Sequence, residues 1–212
     1  MIDLGNTCLY SVIGLPDPAY AERVMRVLRY CQKMFKFEYT YLFTVIDVGK
    51  QDDCMVVQVP PMDFRSWNIF QHRTMPHFFY DFGHQFKVDE DGFPLDASLW
   101  NPEFMDYDYI APPWGDGLTG SGGFCLTTLR FMLAATIDAP WFDGVRNGDE
   151  WLCRELRDWM ESIGVKFSPQ EVAVKFATET TWNDQPSFGF HGRTHCPEKY
   201  KLGWQKIEES EK

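Results

Sequence analysis

By Val59 the chain has presented a strand, a helix and two more strands, and that order constrains the fold more than any other feature. Residues 8–13 (CLYSVI) read as a buried strand, ended by Gly14, Pro16 and Pro18. Residues 19–33 place Tyr20, Val24, Val27, Leu28 and Cys31 at helical spacing, with Arg and Lys on the other face. Residues 39–48 (YTYLFTVIDV) are β-branched and aromatic, and residues 55–59 (MVVQV) form a further strand stopped by Pro60-Pro61. A strand that returns through a helix to a neighbouring strand builds a parallel, right-handed crossover. The expected class is α/β, a mixed and mostly parallel sheet flanked by helices.

Later segments extend this pattern. Residues 67–79 predict a helix interrupted near Pro76, 86–88 a short strand, 95–104 a helical turn and loop, and 107–110 another strand. Residues 112–123 form a glycine-rich loop, and 124–135 pass from strand or turn into helix. Residues 150–163 and 170–176 predict helices, the first ended by Gly164. Residues 205–212 are mostly charged and read as a solvated tail or a linker, which leaves room for further domains beyond it. No composition shift divides residues 1–204, which therefore form one domain.

The formal net charge of -11 excludes a broad basic face, so neither nucleic acid nor an anionic membrane surface is an expected partner. An anionic ligand must then be met by a local device such as a metal ion or placed amides. No apolar run is long enough to span a membrane and no secretory signal is visible. The 6 scattered cysteines lack a C-x-x-C pair and read as reduced thiols, which predicts a cytoplasmic setting. Aromatics make up 17% of the chain, enough to fill a core and leave a surplus for stacking on rings or sugars.

Four constellations carry candidate chemistry. The first is Asp89-Glu90-Asp91-Gly92, at the end of an apolar strand, where ligands of open α/β sheets bind. If the strand continues, Asp89 and Asp91 share one face and suit a hard cation such as Mn²⁺ or Mg²⁺. The other reading is a solvated acidic turn. The second is Gly189-Phe190-His191-Gly192, a tight backbone presenting an imidazole. It reads as a metal ligand, as a hydrogen-bonded loop histidine, or as part of a zinc site with His195 and Cys196.

The third is Gly120-Ser121-Gly122-Gly123, either a loop whose amides approach a ligand or an ordinary flexible loop. It matches no phosphate-binding fingerprint of ATPases or dinucleotide enzymes. The fourth is Asp149-Glu150 at the head of a helix. Asp149 suits an N-cap there, and either carboxylate suits a base or a stabiliser facing a reacting sugar.

In order, Asp91-Gly92-Phe93, residues 99–104 (LWNPEF), 107–114 (YDYIAPPW), Gly122-Gly123-Phe124, Asp149-Glu150, 167–173 (FSPQEVA) and 188–192 (FGFHG) resemble small GT-A-type glycosyltransferases. That family occurs in bacteria and in large DNA viruses, including domains that build the capsid glycans of chlorella viruses. The resemblance runs from about Leu9 to Gly192 and is strongest after Asp89. It implies a single GT-A-like domain with a nucleotide-binding half over about 1–92 and an acceptor and catalytic half over about 93–204. It implies a UDP-sugar donor, a glycan or glycoprotein acceptor, and Mn²⁺ or Mg²⁺ held by Asp89, Asp91 and His191. Ser11, Ile13, Gly14, Leu15, Asp47 and Glu90 are expected at the nucleotide. Trp114, Gly122 and Gly123 are expected on the sugar and acceptor side, and Asp149 and Glu150 as the catalytic carboxylates. Lys87 departs from the family, whose strand is usually more apolar there; it points either into the cleft or outward. The alternatives outside this class are a non-catalytic nucleotide-sugar or carbohydrate-binding module and a metal-dependent phosphoesterase.

Overall fold

The computed structural model describes residues 1–138 and 143–212. The chain begins with β1 (Ile2–Asp3), β2 (Thr7–Ile13), α1 (Pro18–Met34), β3 (Phe35–Lys36), β4 (Tyr39–Thr44) and β5 (Met55–Gln58). It continues through α2 (Phe64–Arg73), β6 (His84–Lys87), β7 (Gly92–Pro94), β8 (Tyr109–Ile110), β9 (Cys125–Thr128) and α3 (Leu129–Asp138). The last elements are α4 (Gly148–Glu150), α5 (Arg157–Ser162), α6 (Gln170–Phe176), β10 (Ala177–Thr178), β11 (Gly189–His191) and α7 (Pro197–Ser210).

The main sheet has the order β5-β4-β2-β6-β9-β8. The strands β5, β4, β2 and β6 are mutually parallel, and β9 runs antiparallel to both β6 and β8. The protein is therefore a single α/β domain with a mixed, largely parallel sheet between helices. Strand β2 is central and buried along its whole length, which is why its sequence is mostly apolar, broken only by the small buried Thr7 and Ser11, and does not alternate. Its Leu9 and Ile13 pack with Val24, Val27 and Leu28 of α1, while Cys8, Tyr10 and Val12 face the opposite layer with Phe43 and Phe79.

Helix α1 starts where its capping demands. The Asp17 carboxylate accepts from the amides of Ala19 and Tyr20, and Pro18 occupies the first turn, where a missing N–H costs nothing. Much of the aromatic surplus is spent inside. Phe86, Phe124, Phe176 and Phe188 are fully buried, and the rings of Phe124 and Phe176 stack at 4.9 Å. Each such side chain contributes roughly 1.5–3 kcal/mol of hydrophobic burial.

A small second sheet, in the order β10-β11-β7, fixes the geometry of the site. Strand β11 lies antiparallel to β7 with His191 opposite Gly92 and Phe190 opposite Phe93.

Two expectations are corrected by this architecture. The charged segment 205–212 is not a solvated tail: it completes α7, which lies on α1. Ile207 is fully buried, Gly203 admits the ring of Phe93, and Arg26 pairs with Glu211 at 2.7 Å. The strand before the acidic run ends at Lys87 and does not carry Asp89 and Asp91 onto one face. Instead Asp89 and Gly92 exchange backbone hydrogen bonds at 2.8 and 3.2 Å, so Glu90 and Asp91 form the tip of a tight turn. All six cysteines are free thiols, and no helix among the described residues is long and apolar enough to cross a membrane.

Candidate functional site

After β2 the chain moves outward through β4 and β5, then returns to the other side of β2 with β6. The switch point lies between β2 and β6, and a crevice opens beyond the carboxyl ends of these two strands, as it does in open α/β sheets generally. The crevice has two lobes that share Phe64, Trp67 and Asp89. One, of about 380 Å³, is lined by Gly14, Leu15, Asp17, Tyr20 and Asp63. The other, of about 420 Å³, holds Lys87, Gly122, Gly123, Asp149 and His191 over a floor that includes Tyr10 and Phe131. Trp67 forms the wall between them and packs over Gly14.

Asp89 sits at the junction. Its Oδ1 accepts from the Tyr20 hydroxyl and, at 2.7 Å, from the Glu90 amide. Burial pushes the Asp89 carboxyl up; the Tyr20 hydroxyl, Lys87 and the Glu90 amide pull in the other direction without cancelling it. Tyr20 is pushed far above the usual phenol range, by burial first and by Asp89 next, and so keeps its proton for this bond.

His191 is cradled between two glycines. A Cβ on Gly92 would lie 2.7 Å from its ring, and one on Gly123 only 1.9 Å from Nε2. Its Nδ1 stands 2.7 Å from Oε1 of Glu179 and 2.9 Å from Oγ of Ser121. A carboxylate only accepts, so the Glu179 contact assigns the proton to Nδ1 and leaves Nε2 toward Oδ1 of Asp91, 3.9 Å away. Burial alone would lower the His191 pKa; Glu179, Asp91 and Asp89 outweigh it and raise the group above its usual value. Ser121 and Glu179 meet the same ring nitrogen, so the three do not form a nucleophile–base–acid relay.

Asp91 is fixed by the strand pairing. Its carbonyl accepts from the Gly192 amide at 2.8 Å and its Oδ2 from the Arg193 amide at 3.1 Å. Asp149 takes the Gly122 amide on Oδ2 at 3.1 Å and the Glu150 amide on Oδ1 at 2.9 Å. It is not the N-cap of its helix: Asn147 holds that position, and Asp149 lies within the first turn with its carboxylate toward the cleft.

Among the described residues no three of His, Cys, Asp and Glu converge on one point that could hold a metal. The expected trio of Asp89, Asp91 and His191 thus does not converge: Asp91 and His191 stand 3.9 Å apart, while Oδ1 of Asp89 is held by Tyr20. The pair stands within reach of one divalent ion but is not preset for it. Ligand atoms at about 2.1 Å from an octahedral ion are about 3.0 Å apart in adjacent positions and about 4.2 Å in opposite ones, so Nε2 and Oδ1 at 3.9 Å reach either arrangement only after a side-chain shift. The room before Nε2 exists because residue 123 has no Cβ, and Glu179 on Nδ1 is the usual carboxylate partner of a ligating histidine. Mg²⁺ and Mn²⁺ accept so few protein ligands when substrate phosphates complete the shell.

Several expected residues lie elsewhere. Ser11 and Ile13 are buried within the sheet and line neither lobe, whereas Gly14 and Leu15 do line the smaller one. Asp47 is exposed and accepts from the Gly49 amide at 2.9 Å. Glu90 turns away from the crevice into Arg23 at 3.0 Å, Tyr200 at 3.1 Å and Arg193 at 3.6 Å, which makes it a brace. Trp114 and Glu150 sit outside the crevice on Arg154, the first at 4.4 Å from ring centroid to guanidinium and the second at 3.7 Å. Cys196 is buried against the Glu179 carbonyl at 3.0 Å while His195 is exposed, so neither joins His191 in a zinc site. Tyr20, Trp67 and Glu179 were not expected at the site. Tyr20 reads as one more apolar position of α1, and Glu179 follows β10 with no motif around it.

A family profile described as a protein of unknown function, DUF5672, matches residues 65–191. That span holds Lys87, Asp89, Asp91, Gly123, Asp149, Glu179 and His191, and excludes the Gly14–Tyr20 side of the smaller lobe. No curated protein matches the sequence. Among solved structures the chain is similar to the bifunctional IspDF from Campylobacter jejuni, with 8% identity and a TM-score of 0.49 over 77% of this chain and 49% of that one. This chain thus spans about half the length of that protein.

Proposed function

We propose that this chain, which belongs to the DUF5672 family of unknown function, is a metal-dependent glycosyltransferase moving a sugar from a UDP-sugar to a hydroxyl of a glycan or glycoprotein. The observation that supports this reading is the joint placement of the Asp91–His191 pair and Asp149 at one crevice beyond the switch point of the sheet.

In this reading the nucleoside occupies the lobe of Gly14, Leu15 and Tyr20, and the sugar and acceptor occupy the larger lobe. Asp91 and His191 would hold Mn²⁺ or Mg²⁺, which supplies Lewis-acid charge at the diphosphate. Glu179 orients the imidazole, and Tyr20 keeps Asp89 in place at the boundary between the lobes. Trp67 walls the crevice against water. Asp149, held by two amides, is the base: it takes the acceptor proton as the acceptor oxygen bonds to the anomeric carbon and the bond from that carbon to the diphosphate breaks. UDP leaves with the electron pair of the broken bond.

The test is release of sugar and UDP from UDP-sugars in the presence of Mn²⁺. Slow release without acceptor supports transferase chemistry. Tight donor binding with no turnover under any acceptor would replace it with a binding module, and cleavage of a simple phosphodiester without nucleotide would replace it with a phosphoesterase.

A further inference from the structure

Lys87 is the only buried lysine or arginine among the described residues. Its ammonium donates to Oε1 of Gln71 at 2.9 Å and stands 5.9 Å from the centroid of Trp67. Neither neighbour carries a full negative charge. The buried carboxylates of Glu90 and Asp108 are treated differently: Glu90 meets Arg23 at 3.0 Å, and Asp108 meets Arg130 at 3.4 Å. No carboxylate among the described residues lies within 4.0 Å of Lys87. Asp89 shares its crevice and feels its charge, but Asp89 is engaged by Tyr20.

A buried ammonium whose nearby carboxylate is out of contact and already hydrogen-bonded elsewhere gains from an anion received in direct contact. The position says which anion. Lys87 ends β6 between Tyr10 of β2 and Cys125 of β9, and it lines the lobe of His191 and Asp149 rather than the lobe of Gly14 and Tyr20. In the reading above that lobe takes the sugar and the acceptor, with the Asp91–His191 pair at its edge toward the diphosphate.

We propose that Lys87 is a specificity-determining residue that receives the carboxylate of an acidic sugar, a uronic acid, on either the donor or the acceptor. The inference rests on the glycosyltransferase reading and narrows its substrate class. A charge-assisted hydrogen bond in a desolvated lobe is worth ~10-fold or more in affinity.

The experiment is calorimetry with Mn²⁺, using UDP, UDP-glucose and UDP-glucuronate as one arm. Methyl glucoside and methyl glucuronide, added to the UDP complex, form the second arm. If the donor carries the acid, the wild-type chain prefers UDP-glucuronate over UDP-glucose by ~10-fold or more. If the acceptor carries it, the preference appears in the second arm. Lys87→Met and Lys87→Gln erase the preference and leave UDP binding unchanged. Equal binding of acidic and neutral sugars in both arms overturns the proposal, as does an equal loss of UDP itself in both variants, which would place a phosphate on Lys87. Absence of UDP binding by the wild type overturns the glycosyltransferase reading instead, and the methyl glycosides added alone then decide the role of the lysine.

Discussion

The Nε2 of His191 faces Oδ1 of Asp91 at 3.9 Å, and the imidazole holds that place because Gly92 and Gly123 leave it room and Glu179 anchors its far side. Distant parts of the chain meet here through one register, His191 opposite Gly92 in the small sheet. What the pair can bind is thus set by backbone pairing and by two missing side chains as much as by the ligating groups.

Gly123→Ala puts a Cβ 1.9 Å from Nε2 of His191, whereas Gly122→Ala meets nothing closer than 3.9 Å. The first variant is expected to displace the imidazole and abolish Mn²⁺-dependent UDP binding at a cost of roughly 1–3 kcal/mol in stability. The second is expected to keep its stability within about 0.5 kcal/mol. Calorimetry and denaturant melts of the two side by side check both statements.

Asp149→Asn keeps the size of the side chain and removes its capacity to take a proton. Turnover is expected to fall by about 10²–10⁴, the usual contribution of a general base, while donor affinity stays the same. Steady-state kinetics together with donor titration measure the split. A matched fall in both would make Asp149 a binding group only.

His72 gives a pH dependence separate from the metal pair. Burial, then the charge of Lys87, lowers its pKa from 6.5 to about 4, and its ring lies against Gly148. Above pH 6.5 the ring is neutral in both folded and unfolded chains, and nothing is lost. Between pH 6.5 and about 4 the unfolded chain takes a proton that the folded chain refuses, so stability falls with pH by about 3 kcal/mol in total. His72→Gln should flatten this part of the stability curve in urea melts at several pH values.

The main sheet was legible because its strands are locally consistent: the apolar run of β2 and the helical spacing of α1 both declare themselves within a few residues. The site was legible only where a motif is local. Asp91, Gly123 and His191 stand in recognisable runs, but Glu179 and Tyr20 acquire their roles from pairings between distant segments that no spacing encodes. The acidic run misled on alternation because Glu90 and Asp91 turn the chain instead of extending it. Ile207 and Gly203, set among charged residues, conceal that the last helix carries a buried stripe.

Calorimetric titration of UDP into the full chain, with Mn²⁺ and then with a chelator, compared with Asp91→Asn and His191→Gln, tests the central claim most directly. The wild type should bind UDP only with the metal, and each variant should lose ~10-fold or more in affinity while melting near the wild-type temperature. UDP binding that persists in the chelator, or that both variants retain in full, would contradict a metal-dependent nucleotide site at Asp91 and His191.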